Sequence, residues 1–591
     1  MLRSSKRDRA SRADKSLNHV GPRSSFQHDA GDKHDDEITS RKEGPSQRRL
    51  LKLYLLLFCY RAANALFVRT YYDPDEYWQA LEVAHKLVFG YGYLTWEWTH
   101  KIRGFAHPLI FTFIYKTLAV LGLDETELLI VAPRLVQAGF AAVGDIYTYL
   151  LAYRLFGHGA AKWALMCSVL SWYTFFCGIR TYSNSMESVL TVAALYYWPW
   201  TSEGNLNHMH RKHFRVALAV ASLACIVRPT NAIIWLYLGV NLVWKNIRMW
   251  KTIALDALTL VFLALQTSVL IDYIFYKEWT VVPYNFIRQN LVEGIASFYG
   301  NHAWHWYFSQ GFPVITFSFL PLLVWDTLST KGHQAPMRGR LLRLVLWTLS
   351  VYTLLPHKEF RFIFPILPPT IALTGAAIHR IESWTDKAKA RRCLYRNRIP
   401  LLVTFLVITN GLAGYYLGIL HQRGVVDVMN WLREEAAHER IDGILFLMPC
   451  HSTPFYSHLH RNVSMRFLTC EPPVGIDPST YQDEADIFYQ SPKSFIEKYF
   501  DPNMRSIGVS TTAYHDDTIP VPGQHWRIQR FYWPSHVVIF EALSRDMLDI
   551  FKGSNYEECE RFFNSHFHDD PRRRGDVIVY CRRLSNEIHT K

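Results

Sequence analysis

Twelve apolar runs punctuate this 591-residue chain, at about 51–68, 108–122, 131–152, 161–179, 188–201, 214–227, 232–245, 252–275, 312–326, 341–355, 361–379 and 400–420. A bilayer core of about 30 Å takes helices of about 20 residues. Backbone groups find no water there, so helices that satisfy their own hydrogen bonds are the available solution. The expectation is a polytopic α-helical membrane protein. Some of the runs have only about 14 residues, short of a full span.

Basic residues outnumber acidic ones, 64 to 51, for a formal charge of +13. The excess sits in short segments between apolar runs, the pattern of cytoplasmic membrane loops and not of a nucleic-acid surface. Arg211, Lys212 and Arg215 mark 202–215 as cytoplasmic, and Lys245, Arg248 and Lys251 mark 245–251. Lys331, Arg338, Arg340 and Arg343 do the same, as do Lys387, Lys389, Arg391, Arg392, Arg396 and Arg398. Residues 1–49 are polar, charged and without an apolar signal core, and read as a disordered cytoplasmic tail. The loop 70–107 is then lumenal.

Four apolar runs lie between lumenal 70–107 and cytoplasmic 202–215, and an even number of crossings returns a chain to the side it left. One of the four must fail to cross. The run 161–179 is followed at once by Arg180-Thr181-Tyr182-Ser183-Asn184 and is expected to be re-entrant. That leaves about eleven crossings and a lumenal C-terminus. It also makes loop 123–130 cytoplasmic in spite of Asp124, Glu125 and Glu127, acids weighing little in the rule.

Residues 421–591 read as a lumenal α/β domain after a membrane part at 50–420. Val425, Val428, Met429, Leu432 and Ala436 fall at helical spacing. Ile444–Met448, Ser506–Val509, Val537–Phe540 and Val577–Tyr580 read as buried strands, and 555–567 as a helix. Cys450, Cys470, Cys559 and Cys581 suit one or two disulfides in an oxidising compartment, with the pairing left open. Asn462-Val463-Ser464 is the chain's one glycosylation sequon. His451, His458, His460 and Asp516-Asp517 show no catalytic spacing, and no Cys or His spacing calls for zinc.

Four polar clusters from distant parts of the chain share the lumenal face: Asp75-Glu76, Arg180 to Glu187, Arg228-Pro229-Thr230-Asn231, and His357-Lys358-Glu359-Phe360-Arg361. Charges at helix ends commonly snorkel to the interface, but four clusters on one side point to a site. His357, Lys358 and Arg361, with Arg180 or Arg228, suit an anionic phosphate. Asp75 or Glu76 suits proton removal from a hydroxyl nucleophile. No Gly-rich phosphate loop and no Asp-x-Asp triplet appears, so the phosphate is expected to arrive on a lipid, with little need for a metal or other cofactor. The aromatic loop 70–107 suits the membrane interface, and Trp96 and Trp98 suit either stacking on a sugar or anchoring there. The loop 277–311, rich in Trp, Tyr, His and Asn, is placed over the site. A transporter would use the same clusters for binding alone, but no internal repeat supports one.

Pro-Asp-Glu-Tyr-Trp-Gln at 74–79, Arg-Thr-Tyr-Ser-Asn-Ser-Met-Glu at 180–187, and His-Lys-Glu-x-Arg-Phe at 357–362 followed by Pro365 together resemble glycosyltransferase family 22. The resemblance covers roughly residues 50–420. It implies a GT-C membrane fold in the endoplasmic reticulum and dolichyl-phosphate mannose as donor. It also implies inverting transfer, with Asp75 as base and Glu76 orienting the acceptor or serving as base instead. His357, Lys358 and Arg361 would hold the lipid phosphate, with Glu359 pairing those cations and Arg180, Asn184, Glu187 and Arg228 lining the substrate site. The stretch 82–98 resembles the branch that adds an α1,2-linked mannose to a glycosylphosphatidylinositol (GPI) precursor. Relatives acting on the dolichol-linked N-glycan precursor are the alternative. Family members often carry His before Pro-Asp-Glu; here the residue is Asp73.

Overall fold

The computed structural model describes residues 46–200, 208–329, 335–389, 398–474, 481–502 and 531–583. The expected tail 1–49 lies almost wholly outside these, as do the strand expected at Ser506–Val509 and the pair Asp516-Asp517. Among the described residues, six helical stretches are long and apolar enough to cross a membrane: Gln47–Phe67, Leu128–Phe156, Ile247–Tyr276, Tyr307–Ser329, Phe360–Trp384 and Arg398–Ala437. The protein is a multi-pass membrane protein.

Polar side chains tie these helices together. Arg61 and Asp145 are buried and form a two-point pair, with Nε to Oδ2 at 2.7 Å and Nη2 to Oδ1 at 2.8 Å. Ser168 Oγ donates to the same carboxylate at 2.6 Å. A charge at membrane depth is costly unless paired, so this contact fixes the Gln47–Phe67, Leu128–Phe156 and His158–Leu170 helices against one another.

The run 161–179 is not the segment that turns back. It forms helices His158–Leu170 and Trp172–Cys177, interrupted at Ser171, whose Oγ accepts from Thr174 N at 3.3 Å. One end lies beside the end of the long Leu367–Lys389 helix, where Trp163 Nε1 donates to Glu382 Oε2 at 2.8 Å. Just beyond the other, Arg180 donates to Thr70 O at 2.8 Å. The pair therefore runs from face to face.

The helix that turns back is Pro108–Leu121. Its 14 residues reach about 21 Å at 1.5 Å per residue, too little for a core of about 30 Å. Both its ends lie on the side of the C-terminal sheet. Beyond its C-terminus, Arg433 Nη2 donates to Thr126 O at 2.9 Å, Glu127 pairs with Arg433 at 3.3 Å, and Glu125 pairs with Arg461. The acidic loop 123–130 thus shares the side of the sheet. Exchanging one non-crossing run for the other leaves the parity unchanged.

The C-terminal sheet has five strands: β1 Gly443–Leu447, β2 Ser464–Phe467, β3 His536–Phe540, β4 Tyr556–Ser565 and β5 Gly575–Arg582, in the order β2-β1-β3-β5-β4. The first three are parallel, and β5 and β4 are antiparallel additions. The expected helix 555–567 is therefore a strand. Its Glu-rich sequence favours helix locally, but pairing along β5 and the Cys559–Cys581 bond decide its state. The second disulfide joins Cys450 to Cys470.

Alternation along β1, β3 and β5 gives the sheet two apolar faces. Leu445, Leu447, Val537, Ile539, Ile578 and Tyr580 pack on the helices Glu484–Gln490, Pro492–Tyr499 and Ser544–Phe551. Ile444, Phe446, Val538, Val577 and Val579 pack on the helix Gly424–Ala437, on the turned-back helix and on Tyr71, Tyr77, Trp78 and Leu81. The membrane part and the sheet share one core, and that core contains the segment carrying Asp75.

Candidate active site

The segment 71–82 leaves the first helix, turns at Pro74 and becomes helical by Tyr77. Asp73 shapes the turn by accepting from Asp75 N at 2.9 Å. The turn sends the adjacent acids in opposite directions.

Asp75 forms an ion pair with Arg361 at 2.6 Å and lies 3.4 Å from Arg103 Nη2. Its side chain keeps 13% of its surface exposed. Arg361 Nη1 also pairs with Asp73, and Arg361 Nε with Glu359. One guanidinium therefore serves three carboxylates. Arg103 Nη2 donates to Glu97 Oε1 at 2.9 Å. Arg228 Nη1 donates to Ser183 Oγ at 3.1 Å, and its guanidinium lies over the Phe362 ring beside Arg361.

Burial opposes ionisation of Asp75, but Arg361 and Arg103 outweigh it and hold the carboxyl below its usual range. For Asp73 burial wins: aided by the charges of Glu359 and Asp75, it raises the carboxyl to about 7 against the pull of Arg361. Burial also works against the proton of His357, yet the bond to Glu359 at 2.8 Å prevails and raises its pKa. His107 is pushed down to about 4 by burial and by Arg228 and Arg103. It is therefore neutral near pH 7, and its buried Nε2 has no hydrogen-bond partner among the described residues.

Glu76 faces the other way. It is wholly buried, accepts from Arg180 Nη1 at 2.6 Å and lies 3.4 Å from Arg134. Arg180 is equally buried and is held by Thr70 O, Thr70 Oγ1 and Phe176 O. Neither group opens to a substrate, so this pair is scaffold, and the expectation of Arg180 as a phosphate ligand does not fit its surroundings. Glu187 is enclosed in a similar way, by Asn231 at 2.9 Å, Asn184 at 3.2 Å and Arg228 at 3.6 Å.

Lys358 does not join the cluster. Its ammonium donates to the carbonyls of His302, Leu355 and Pro356 and so ties together the turn that follows the Ala335–Thr353 helix and the loop carrying His302. Trp98 is buried against Phe105, and Trp96 is buried beside Ile102 and Ile295 with Nε1 donating to Tyr299 OH at 2.6 Å. Trp96 packs the two long loops together, and Trp98, packed among Val83, Phe105 and the end of the Trp250–Tyr276 helix, has no open face for a sugar. Asn462 is exposed just before β2.

Sequence reading missed Asp73 as a partner of Arg361, and it missed Arg103, His107, Glu97 and Arg134. Arg103 and His107 sit in the loop singled out for its aromatics, within a few residues of Trp98. A basic residue in a loop read as lumenal, against the positive-inside trend, was the available signal.

The cluster offers one partly open carboxylate ringed by fixed guanidinium groups, an arrangement fit for removing a proton beside a bound anion. The likeness to known proteins agrees with that chemistry. A Yarrowia lipolytica protein named GPI mannosyltransferase 3 is 39% identical over 542 residues, covering 91% of this chain and 98% of that one. The human GPI alpha-1,2-mannosyltransferase 3 is 38% identical over 545 residues, covering 91% and 89%. Among solved structures, ArnT from Cupriavidus metallidurans, bound to undecaprenyl phosphate, superposes with a TM-score of 0.51 at 11% identity, covering 91% of this chain and 98% of that one. The fold is of the GT-C type. The family model described as the Alg9-like mannosyltransferase family matches residues 52–460, which take in the membrane helices, the Asp75–Arg361 cluster and the first strand of the sheet. With most of the chain matched and these two relatives named mannosyltransferases, this protein belongs to the Alg9-like mannosyltransferase family.

Proposed function

We propose that the protein transfers mannose from dolichyl-phosphate mannose to a GPI precursor, forming the third, α1,2-linked mannose at the lumenal face of the endoplasmic reticulum. The names of the relatives support the acceptor and the linkage. The observation that carries the chemistry is the 2.6 Å Asp75–Arg361 pair with Arg103 beside it.

The acceptor hydroxyl oxygen attacks the anomeric carbon of the donor mannose, and Asp75 takes the hydroxyl proton. The bond from that carbon to the phosphate oxygen breaks with its electron pair, and dolichyl phosphate departs. Inversion follows from a single displacement. Arg361, with Arg103, Arg228 and protonated His357, holds the departing phosphate. Charges fixed before the reaction stabilise the charge that develops without reorganising. Glu76, Arg180, Glu187 and Asn184 keep the segments in place, and Lys358 fixes the loop that carries Arg361. In this reading residues 50–420 form the catalytic membrane domain, 421–591 a lumenal α/β domain, and Asn462 carries a glycan.

The test uses purified full-length protein, labelled dolichyl-phosphate mannose and a two-mannose GPI precursor. Wild type is expected to produce a three-mannose product whose new bond an α1,2-mannosidase cleaves. Transfer to a dolichol-linked N-glycan precursor instead would move the acceptor assignment, and no transfer to either would refute the reading.

A further inference from the structure

The segment that follows β1 in the C-terminal domain grips the segment that holds the reacting carboxylate, and it does so with its own backbone. Tyr71 OH donates to His451 O at 2.6 Å. Trp78 Nε1 donates to Thr453 O at 3.0 Å. Glu82 Oε1 accepts from Ser457 N at 2.8 Å. These three bonds bracket Asp73, Asp75 and Glu76 from both sides. Tyr71, Trp78 and Glu82 are all buried, and the Trp78 ring lies against His451, Phe455 and Phe467 with centroids 4.3–5.1 Å apart.

The gripping segment 450–457 is itself held rigid. Cys450 is bonded to Cys470, on the chain just after β2. Arg573 Nη2 donates to Cys450 O at 3.2 Å. His451 sits at φ +53°, a region that residues other than glycine seldom occupy, and its carbonyl is the one that meets Tyr71. Strained backbone persists only where its surroundings over-determine it, and here the disulfide, Arg573 and Tyr71 all bear on it.

Resting on the reaction assigned above, we propose that segment 450–457, fixed by the Cys450–Cys470 bond, is the positioning element for Asp75. The C-terminal domain is then a working part of the active site, acting through Tyr71 and Trp78 without touching either substrate. Tyr71 lies four residues before Asp75 and Trp78 three after it, so a shift at either anchor moves the carboxylate against Arg361. Misplacement of a reacting group by about 1 Å costs on the order of 10²-fold in rate.

The experiment compares three full-length variants. Tyr71→Phe removes one oxygen and keeps the ring. Cys450→Ser with Cys470→Ser opens the clamp. Cys559→Ser with Cys581→Ser opens the other disulfide, which joins β4 to β5 on strands that supply none of the three bonds, and serves as control. The first two are expected to lower kcat about 10-fold or more while the KM for the donor changes less than about 2-fold; the control keeps its kcat. Amide exchange in 75–82 should rise in the Cys450/Cys470 variant and stay unchanged in 128–156. That measurement needs no turnover, so it stands even if the acceptor proves to be another glycan. Unchanged kcat and exchange in the first two, equal losses in the control, or an effect on KM alone would overturn the proposal. If the Cys450/Cys470 variant does not fold, Tyr71→Phe decides.

Discussion

Asp75 and Glu76 are adjacent, chemically alike and each paired with an arginine, yet one pair is open and the other sealed. The Asp75–Arg361 pair keeps 13% and 9% of its side-chain surface exposed, and Arg361 is shared among three carboxylates. The Glu76–Arg180 pair keeps none, and its arginine is saturated by backbone and hydroxyl acceptors. An over-committed cation at a partly open site has bonds to yield to an incoming phosphate. A saturated cation in a sealed site has none. A buried ion pair therefore marks function only where its partners are left incompletely satisfied and within reach of a substrate.

The contrast can be broken by mutation. Asp75→Asn should lower kcat by about 10²–10⁴ with little change in thermal stability, since the amide keeps the shape and the site is partly open. An equal loss of stability would merge the two pairs into one class. Glu76→Ala should do the reverse, costing about 3–5 kcal/mol by leaving Arg180 buried without its partner. Unfolding in detergent reads this, and an intact melting temperature would contradict the sealed assignment.

Asp73 sharpens the comparison through pH. Its carboxyl is raised to about 7 in the folded state from an ordinary value near 3.8. A raised acid binds its proton more tightly when folded, so its contribution to stability is complete below about pH 3.8 and is lost as pH rises through about 7. Asp73→Asn should flatten the stability profile between these limits. It should also remove an inflection near pH 7 from kcat/KM, because ionised Asp73 competes with Asp75 for Arg361. Asn462→Gln should have the smallest effect: loss of a glycosidase-sensitive mobility shift with activity unchanged.

Much of this was legible in sequence because it depends on local composition. Apolar runs announce helices whatever surrounds them, and short continuous apolar runs announced three of the strands as buried. The motifs at 74–79, 180–187 and 357–362 identified the family, and four polar clusters foretold a meeting point. The strand at Tyr556–Ser565 escaped because its Glu-rich pattern is helical until β5 pairs with it. Lys358 was expected among the phosphate ligands because a lysine in a cationic motif looks the same whether it faces a phosphate or the carbonyls of nearby turns.

The sequence by itself determined that the chain crosses a membrane many times, and its charge pattern led to the expectation that one of four early runs does not cross and that acids and cations gather on one side. Only the tertiary structure decided that Pro108–Leu121 is that run, that Asp75 is open while Glu76 is sealed, and that Cys450 joins Cys470. The reason is that hydropathy and charge are properties of a segment, whereas these three outcomes rest on contacts with other segments, such as Arg433 with Thr126 and Arg180 with Glu76. No local pattern encodes which partner a side chain meets, whether 20 residues away, as Cys470 is from Cys450, or more than a hundred, as Arg180 is from Glu76.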